Sequence, residues 1–123
     1  IKKNRPGGRF YNADAANGID IITGFRAGVD TIDSGGAGPA AAIYGVSSAV
    51  ATTDANLFAN INSAAAGSLT GAKEGVIISF QDYNGAAGTF LYVDDNADGT
   101  VDTTDTIIQL IGTVGVLTTG DFI

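Results

Sequence analysis

The sequence predicts a mainly β domain, a β-roll or sandwich-like fold of about seven or eight strands with one short α-helix. Two observations support this: β-branched and aromatic residues occur in short runs, and Gly, Asn and Asp interrupt those runs. A third is that twelve of the thirteen acidic residues are Asp, which favours turns and caps, whereas helical surfaces prefer Glu. The chain of 123 residues is long enough for one domain with a hydrophobic core.

Four strands are predicted in the first fifty residues, where β-forming side chains are bounded by turn residues. The first is a short aromatic strand within residues 8–14, followed by a polar loop, and the others occupy residues 18–25, 29–32 and 40–50. A turn at Ala27–Gly28 separates the second strand from the third.

A single helix is predicted at residues 54–66, where apolar side chains recur at helical spacing. Asp54 or Thr53 is expected to cap its first turn, because short polar side chains accept hydrogen bonds from the free amides there. The side chains expected on its inner face are Leu57, Phe58, Ile61 and Ala65. Of these, Phe58 and Ile61 are expected to be buried.

A β-hairpin is predicted at residues 74–95, with its loop at Asn84–Gly88. Two further strands are predicted after it, at residues 105–112 and 115–123. The pattern is therefore β-dominated from end to end.

The net charge of −7 is distributed unevenly along the chain. Four of the six basic residues lie within the first nine positions, so residues 1–8 are interpreted as a basic arm or a remnant of processing or cloning. Residues 9–123 are interpreted as one β-rich domain. The acidic body argues against binding to nucleic acid or anionic membranes, and no apolar run approaches the length of a membrane span.

The chain contains no Cys and no His. This composition excludes zinc sites of the usual kind and nucleophiles that are activated by His. No nucleophile–base pair can be named, so we expect a protein that is not an enzyme.

The segment 94–105, DDNADGTVDTTD, has the oxygen-ligand spacing of a calcium-binding loop. Such loops place ligands at positions 1, 3, 5, 7, 9 and 12, with Gly at position 6. Gly99 stands at position 6 here, and Asp105 replaces the usual Glu at position 12, which predicts weaker or differently shaped binding. The expected ligands are Asp94, Asn96, Asp98, the Thr100 carbonyl, Asp102 and Asp105.

The residues that flank this loop are strand formers, so we expect it to close a β-hairpin in which residues 90–94 pair with 105–110. We therefore predict a Ca²⁺ ion at the tip of a hairpin, where it would offset repulsion among the carboxylates. The alternative is an acidic turn built on Asp98–Gly99, a common turn dipeptide, that binds only water.

The segment 18–33, GIDIITGFRAGVDTID, resembles the sequence that follows the calcium-binding nonapeptide repeats of repeats-in-toxin proteins. Residues 75–123 are similar to the last sheet of serralysin-like and bluetail-type C-terminal domains, and their final GDFI resembles the terminus that type I exporters accept. With residues 9–18, which look like the last roll strand and loop, the resemblance covers residues 9–123. The residues that match in 18–33 are Asp20, Ile22, Phe25, Gly28, Asp30, Ile32 and Asp33.

The resemblance implies a non-catalytic, calcium-stabilised structural and targeting module of an exported bacterial surface protein. Such a module would fold outside the cell on calcium and carry a C-terminal signal for the type I secretion machinery. The nonapeptide repeat and the zinc protease signature of serralysins are absent from this sequence. Ile22 and Phe25 are expected in the core. Gly28 is expected in a turn, with Asp30 and Asp33 bound to backbone amides or to an ion.

A second hypothesis, from another class, is a self-assembling protomer of an extracellular fibre, matrix or surface layer. The exposed edge of the predicted strand 115–123 would then add to a neighbouring molecule. The partners would be further copies of the chain or other surface proteins.

Overall fold

The computed structural model describes residues 2–3, 9–11, 20–33, 40–101 and 105–123, with the backbone alone at residues 2–3, 9–11, 20 and 33. Within these residues the fold is mainly β, with eight strands and one α-helix, as predicted. The strands are β1 (Lys2–Lys3), β2 (Arg9–Tyr11), β3 (Asp20–Thr23), β4 (Thr31–Asp33), β5 (Ala42–Ser48), β6 (Glu74–Tyr83), β7 (Ala86–Val93) and β8 (Thr106–Ile111), and the helix α1 is Leu57–Ala65.

Five strands form a mixed sheet in the order β3-β8-β7-β6-β5. The three central strands are antiparallel, as predicted for two successive hairpins, and the pairing of β7 with β8 runs from Thr89↔Leu110 to Val93↔Thr106. The first hairpin turns on Asn84–Gly85, both with positive φ (53° and 90°), which is the conformation that two-residue hairpin turns require. β5 is parallel to β6, and α1 forms the crossover between them.

The remaining strands form a small sheet in the order β1-β2-β4, in which β2 and β4 are parallel. In chain order, a strand of the small sheet (β2) is followed by a strand of the large sheet (β3) and then by another strand of the small sheet (β4). This order is that of one turn of a β-roll. Residues 108–122 run parallel to residues 20–32, because β8 pairs with β3 and single bridges join Arg26 to Val114 and Ile32 to Phe122. Lys2–Lys3, within the predicted basic arm, pairs with β2.

The core lies on both faces of the five-stranded sheet. On one face, Ile22 and Leu91 of the sheet cluster with Phe25 and Ile32 from the segment after β3, and the other face packs against α1. The predicted burial of Ile22 and Phe25 is confirmed, since 2% and 0% of their surfaces are exposed. The predicted turn at Gly28 is also confirmed, with φ at 81°.

The buried face and the N-cap of the helix differ from the prediction. Its buried residues are Leu57, Ile61 and Ala65, and the prediction that Phe58 is buried is wrong, because 39% of its surface is exposed. Successive helical residues are about 100° apart, so a buried stripe through positions 57, 61 and 65 turns position 58 away from the sheet.

Neither predicted residue caps the helix. Asn56 occupies the N-cap without a side-chain cap, and its Oδ1 instead accepts a hydrogen bond from the amide of Thr53 at 2.6 Å. The Asp54 carboxylate accepts a hydrogen bond from the hydroxyl of Tyr83. This tertiary contact ties the start of the helix to the end of β6.

The predicted strand at residues 115–123 is wrong, because this segment contains one isolated bridge, at Phe122, and a 3₁₀ helix, Thr119–Asp121. The Asp121 carboxylate accepts hydrogen bonds from the amides of Gly28 at 2.7 Å and Thr118 at 2.8 Å. These bonds bend the segment around one buried acid and attach it to the turn at residue 28, so a straight strand cannot form.

Ile61→Ala should destabilise the protein by about 2–5 kcal/mol, because it leaves a cavity between α1 and the sheet. Phe58→Ala is the matched control on the same helix and should cost about 1 kcal/mol or less. Urea unfolding of the two variants measures both costs. Equal destabilisation by the two substitutions would contradict the observed helix face.

Candidate functional site

The loop between β7 and β8 folds over one buried carboxylate, that of Asp94, of which 0% is exposed. Its Oδ2 accepts a hydrogen bond from the amide of Gly99 at 2.9 Å, and its Oδ1 accepts a longer one from the amide of Asp98 at 3.4 Å. Two residues with positive φ, Ala97 at 55° and Gly99 at 76°, produce the tight curvature that this wrapping requires. The loop therefore surrounds position 1 of the predicted calcium motif.

The electrostatic environment of Asp94 disfavours its ionised form. Burial is the largest influence and raises the pKa of this carboxyl above its ordinary value, while the amide bonds from Gly99 and Asp98 oppose the rise. The carboxylate of Asp98 faces Asp94 and raises the pKa further through its negative charge. Two acidic side chains thus meet at a position where one of them has no access to solvent.

Other oxygen atoms of the motif are held by bonds within the loop. Asp98 Oδ1 accepts a hydrogen bond from the amide of Thr100 at 2.9 Å, and Asp98 Oδ2 accepts one from the side-chain amide of Asn96 at 3.1 Å. These bonds place the side chains of positions 3 and 5 in contact and orient the carboxylate of position 5.

Tyr92 links the two ends of the loop. Its hydroxyl lies 3.1 Å from the Thr100 carbonyl oxygen and also hydrogen-bonds to Asp105 Oδ2. The other oxygen of Asp105 accepts a hydrogen bond from the amide of Asp95 at 3.2 Å. Because a phenol has one proton to donate, it cannot fully satisfy both acceptors at once. The contact brings positions 7 and 12 of the motif together around a buried hydroxyl.

The loop rests on the segment that precedes β6, which Glu74 fixes in place. The Glu74 carbonyl accepts a hydrogen bond from the amide of Asp94 at 2.9 Å. The Glu74 carboxylate accepts hydrogen bonds from the amide and hydroxyl of Thr70, at 2.7 and 2.9 Å, and from the hydroxyl of Tyr44 at 3.1 Å. Burial tends to raise the pKa of Glu74, but these hydrogen bonds outweigh it and hold the pKa below the ordinary value. Glu74 is thus a fully bonded structural carboxylate.

The structure brings some of the predicted ligands together and leaves others apart. Asp94, Asn96 and Asp98 form one cluster, while the Thr100 carbonyl and Asp105 meet at Tyr92. Asp102 lies outside the described residues. Within the part of the chain that is described, no group of three or more acidic side chains is close enough to hold a metal ion.

Sequence reasoning missed Tyr92 and Asp95 as members of this site. Tyr92 lies in the apolar and aromatic run at residues 90–93 of β7, so its position indicates a core residue, and its side chain is fully buried. A buried Tyr hydroxyl needs a hydrogen-bond partner, and the adjacent acidic loop is the nearest source of one in the sequence. That signal could have identified Tyr92.

The prediction for the turn after β3 is confirmed for one of its two acids. Asp30 is buried, with 1% exposed, and its Oδ2 accepts a hydrogen bond from the amide of Arg26 at 3.0 Å. The side chain of Asp33 lies outside the described residues. The bond to Arg26 supports the backbone-amide alternative for Asp30.

Comparison of the chain with models of protein families, with curated proteins and with solved structures finds no match. Among the helical residues that the structure describes, none belongs to a helix long and apolar enough to cross a membrane.

Asp94→Asn should change the pH dependence of stability in the absence of divalent cations. Because the folded-state pKa of Asp94 is raised, its contribution to stability is present below the unfolded pKa of about 3.8 and is lost as pH rises through the folded pKa. The variant should therefore gain stability relative to the wild type as the pH is raised from about 3 to 7.

Urea unfolding in chelator across that pH range measures this difference. Comparing variant with wild type cancels the carboxylates that do not interact with Asp94, including that of Glu74, whose lowered pKa acts in the opposite direction. A difference in stability that does not change with pH would show that folding does not raise the pKa of Asp94.

Proposed function

We propose that this chain is a non-catalytic, calcium-stabilised structural and targeting module of an exported bacterial surface protein. The observation that carries the proposal is the pair of carboxylates in the β7–β8 loop, where the buried Asp94 faces Asp98 and has its pKa raised. A cation between them would replace repulsion with attraction at a site that burial has removed from solvent screening.

The donor set favours a hard cation such as calcium over the transition metals. The loop offers carboxylate, amide and carbonyl oxygens and no nitrogen or sulfur ligand, which suits a hard cation. Asp94, Asn96 and Asp98 would supply side-chain oxygens and Thr100 its carbonyl. Recruitment of Asp105 would require its carboxylate to exchange the bond with Tyr92 for one with the ion.

Calcium binding of this kind would make the stability of the folded state depend on the calcium concentration inside and outside the cell. A ligand that binds the folded state alone stabilises it by mass action, by about 2.7 kcal/mol at one hundred times the dissociation constant. At low calcium the acidic chain, with a net charge of −7, would be less stable and suited to export while unfolded. At the higher calcium levels outside the cell, binding would favour the folded state.

The C-terminal residues suit the export part of the proposal, because folding buries Asp121 and Phe122 within residues 120–123. Phe122 is 4% exposed and bridges to Ile32, and the amide of Ile123 donates to the Ile32 carbonyl at 2.9 Å. A transporter that recognises this segment would therefore have access to it in the unfolded chain. Secretion and the cell surface are the expected location.

Calcium should raise the melting temperature of the wild-type protein, and Asp98→Ala should abolish most of that rise, because it removes an oxygen ligand from the centre of the loop. Asp82→Ala is the matched control: Asp82 Oδ1 also accepts one turn amide, that of Gly85 at 2.9 Å, but in the other hairpin. The control should lower the melting temperature equally with and without calcium.

Thermal unfolding in chelator and in millimolar calcium gives both results. An unchanged melting temperature of the wild type on calcium addition would contradict the proposal. So would a calcium response that survives Asp98→Ala intact.

A further inference from the structure

The strand β5 forms one edge of the five-stranded sheet, and no strand in the described ranges pairs with its outer side. Its register against β6 is continuous over all seven residues, from Ala42 to Ser48, and the side chains are half-buried or exposed. Sheets commonly protect such edges with Lys, Pro, a bulge or a covering element. β5 contains no Lys, no Pro and no bulge.

Backbone hydrogen bonds determine which residues of this edge are available for pairing. The amide of Asp94 donates to the Glu74 carbonyl, so the backbone N–H and C=O groups of Glu74 point towards β7. Those of its neighbour Gly75 therefore point towards β5. In a parallel pair only one residue of each aligned pair directs its backbone groups at the other strand, so Ile43, aligned with Gly75, faces away. By alternation, the residues of β5 that direct N–H and C=O groups outward are Ile43, Gly45 and Ser47.

The charge distribution along the sequence favours contact between two copies of this acidic chain at the β5 edge. The protein has thirteen acidic residues and a net charge of −7, yet residues 34–53 contain no charged side chain. Like charges across a β pairing destabilise it, so an uncharged edge removes the main obstacle to self-association.

We propose that β5 is a homodimer interface, at which a second copy of this chain adds its own β5 in antiparallel orientation about a two-fold axis at Gly45. The outward-facing residues are symmetric about that position. Gly45 would exchange both backbone hydrogen bonds with Gly45 of the second copy, and Ile43 would do so with Ser47. This pairing satisfies the outward N–H and C=O groups of both copies, and the uncharged edge of an otherwise acidic chain favours a second copy as the partner.

The side chains beside the edge are compatible with this pairing. Tyr44 and Val46 would lie opposite each other across the axis, as an aromatic and β-branched pair. Beside the end of β5 lies an open cleft of about 470 Å³, which leaves room for side chains of the incoming strand. Its lining is uncharged and consists of Ser47, Ser48, Val50, Asn60, Ser63 and Ala64.

A disulfide test exploits the absence of Cys from the natural sequence. Gly45→Cys would place two thiols in a hydrogen-bonded antiparallel pair, whose Cα atoms are about 5.5 Å apart, within the range that a disulfide spans. Gly67→Cys is the control, because a Cβ at either glycine meets nothing within 4 Å. Under mild oxidation the first variant should become a covalent dimer of twice 12.3 kDa while the second stays mostly monomeric.

A charge test measures the equilibrium directly. Gly45→Lys would place two positive charges opposite each other at the axis and should raise the dimer dissociation constant at least about tenfold. Gly67→Lys changes the net charge equally and should leave the dissociation constant unchanged. Sedimentation equilibrium gives the constants, and circular dichroism verifies that each variant is folded.

The inference would be overturned by a wild-type protein that remains monomeric at about 1 mM, by equal oxidation of the two Cys variants, or by equal dissociation constants for the two Lys variants. Assemblies that grow beyond a dimer would also overturn it, because a two-fold pairing is closed. All arms are run with and without calcium, so a dimer that forms in chelator supports this inference whether or not the 94–105 loop binds an ion.

Discussion

The fold depends on the parallel pairing of β3 with β8, which joins residues 20–23 to residues 108–111. Parallel partners cannot be joined by a tight turn, and this pair encloses most of the chain. Closing so long a loop costs conformational entropy that the later contacts must offset. Once it is closed, the segment after β8 lies along the segment that follows β3, and the Asp121 carboxylate accepts a hydrogen bond from the amide of Gly28.

The same pairing positions the candidate site. β8 is held between β3 on one side and β7 on the other, so the loop that connects β7 to β8 leaves a rigid sheet at both ends. Val93 and Thr106 form the last pair of the ladder, which brings Asp94 and Asp105 into the interior. The acidic loop is thus anchored by the core, and a change in its stability would be transmitted to the whole sheet.

Two buried carboxylates, on residues that a backbone hydrogen bond joins, have opposite pKa shifts. Glu74 is surrounded by hydrogen-bond donors and has a lowered pKa, so it stabilises the ionised, folded protein without a cation. Asp94 has fewer donors, faces Asp98 and has a raised pKa. This contrast, rather than the number of acids, identifies Asp94 as the group that would respond to a bound ion.

Local sequence patterns predicted much of the fold, because alternation and turn residues act over a few positions. The hairpin around Asn84–Gly85 and the burial of Phe25 follow from such signals. Tertiary contacts determined the rest: the orientation of Phe58 depends on how α1 meets the sheet, and the shape of residues 115–123 depends on the bonds of Asp121.

The candidate site was predictable to a similar extent. The spacing of the acidic loop identified Asp94 and Asp98, whereas the role of Tyr92 depends on strand pairing that the sequence does not display. Likewise, the lack of charge at residues 34–53 is visible in the sequence, but the position of β5 at a sheet edge is not.

A structure of crystals grown in the presence of calcium tests most directly the central claim, which is that the 94–105 loop binds a calcium ion. The account predicts one ion in the loop, with oxygen atoms of Asp94, Asn96, Asp98 and Thr100 at about 2.3–2.6 Å, and with six to eight oxygen ligands including water. It also predicts that the Asp94 and Asp98 carboxylates remain close together with the ion between them. An ordered loop without an ion at millimolar calcium, with Asp98 turned into solvent, would contradict the account and reduce the segment to an acidic turn.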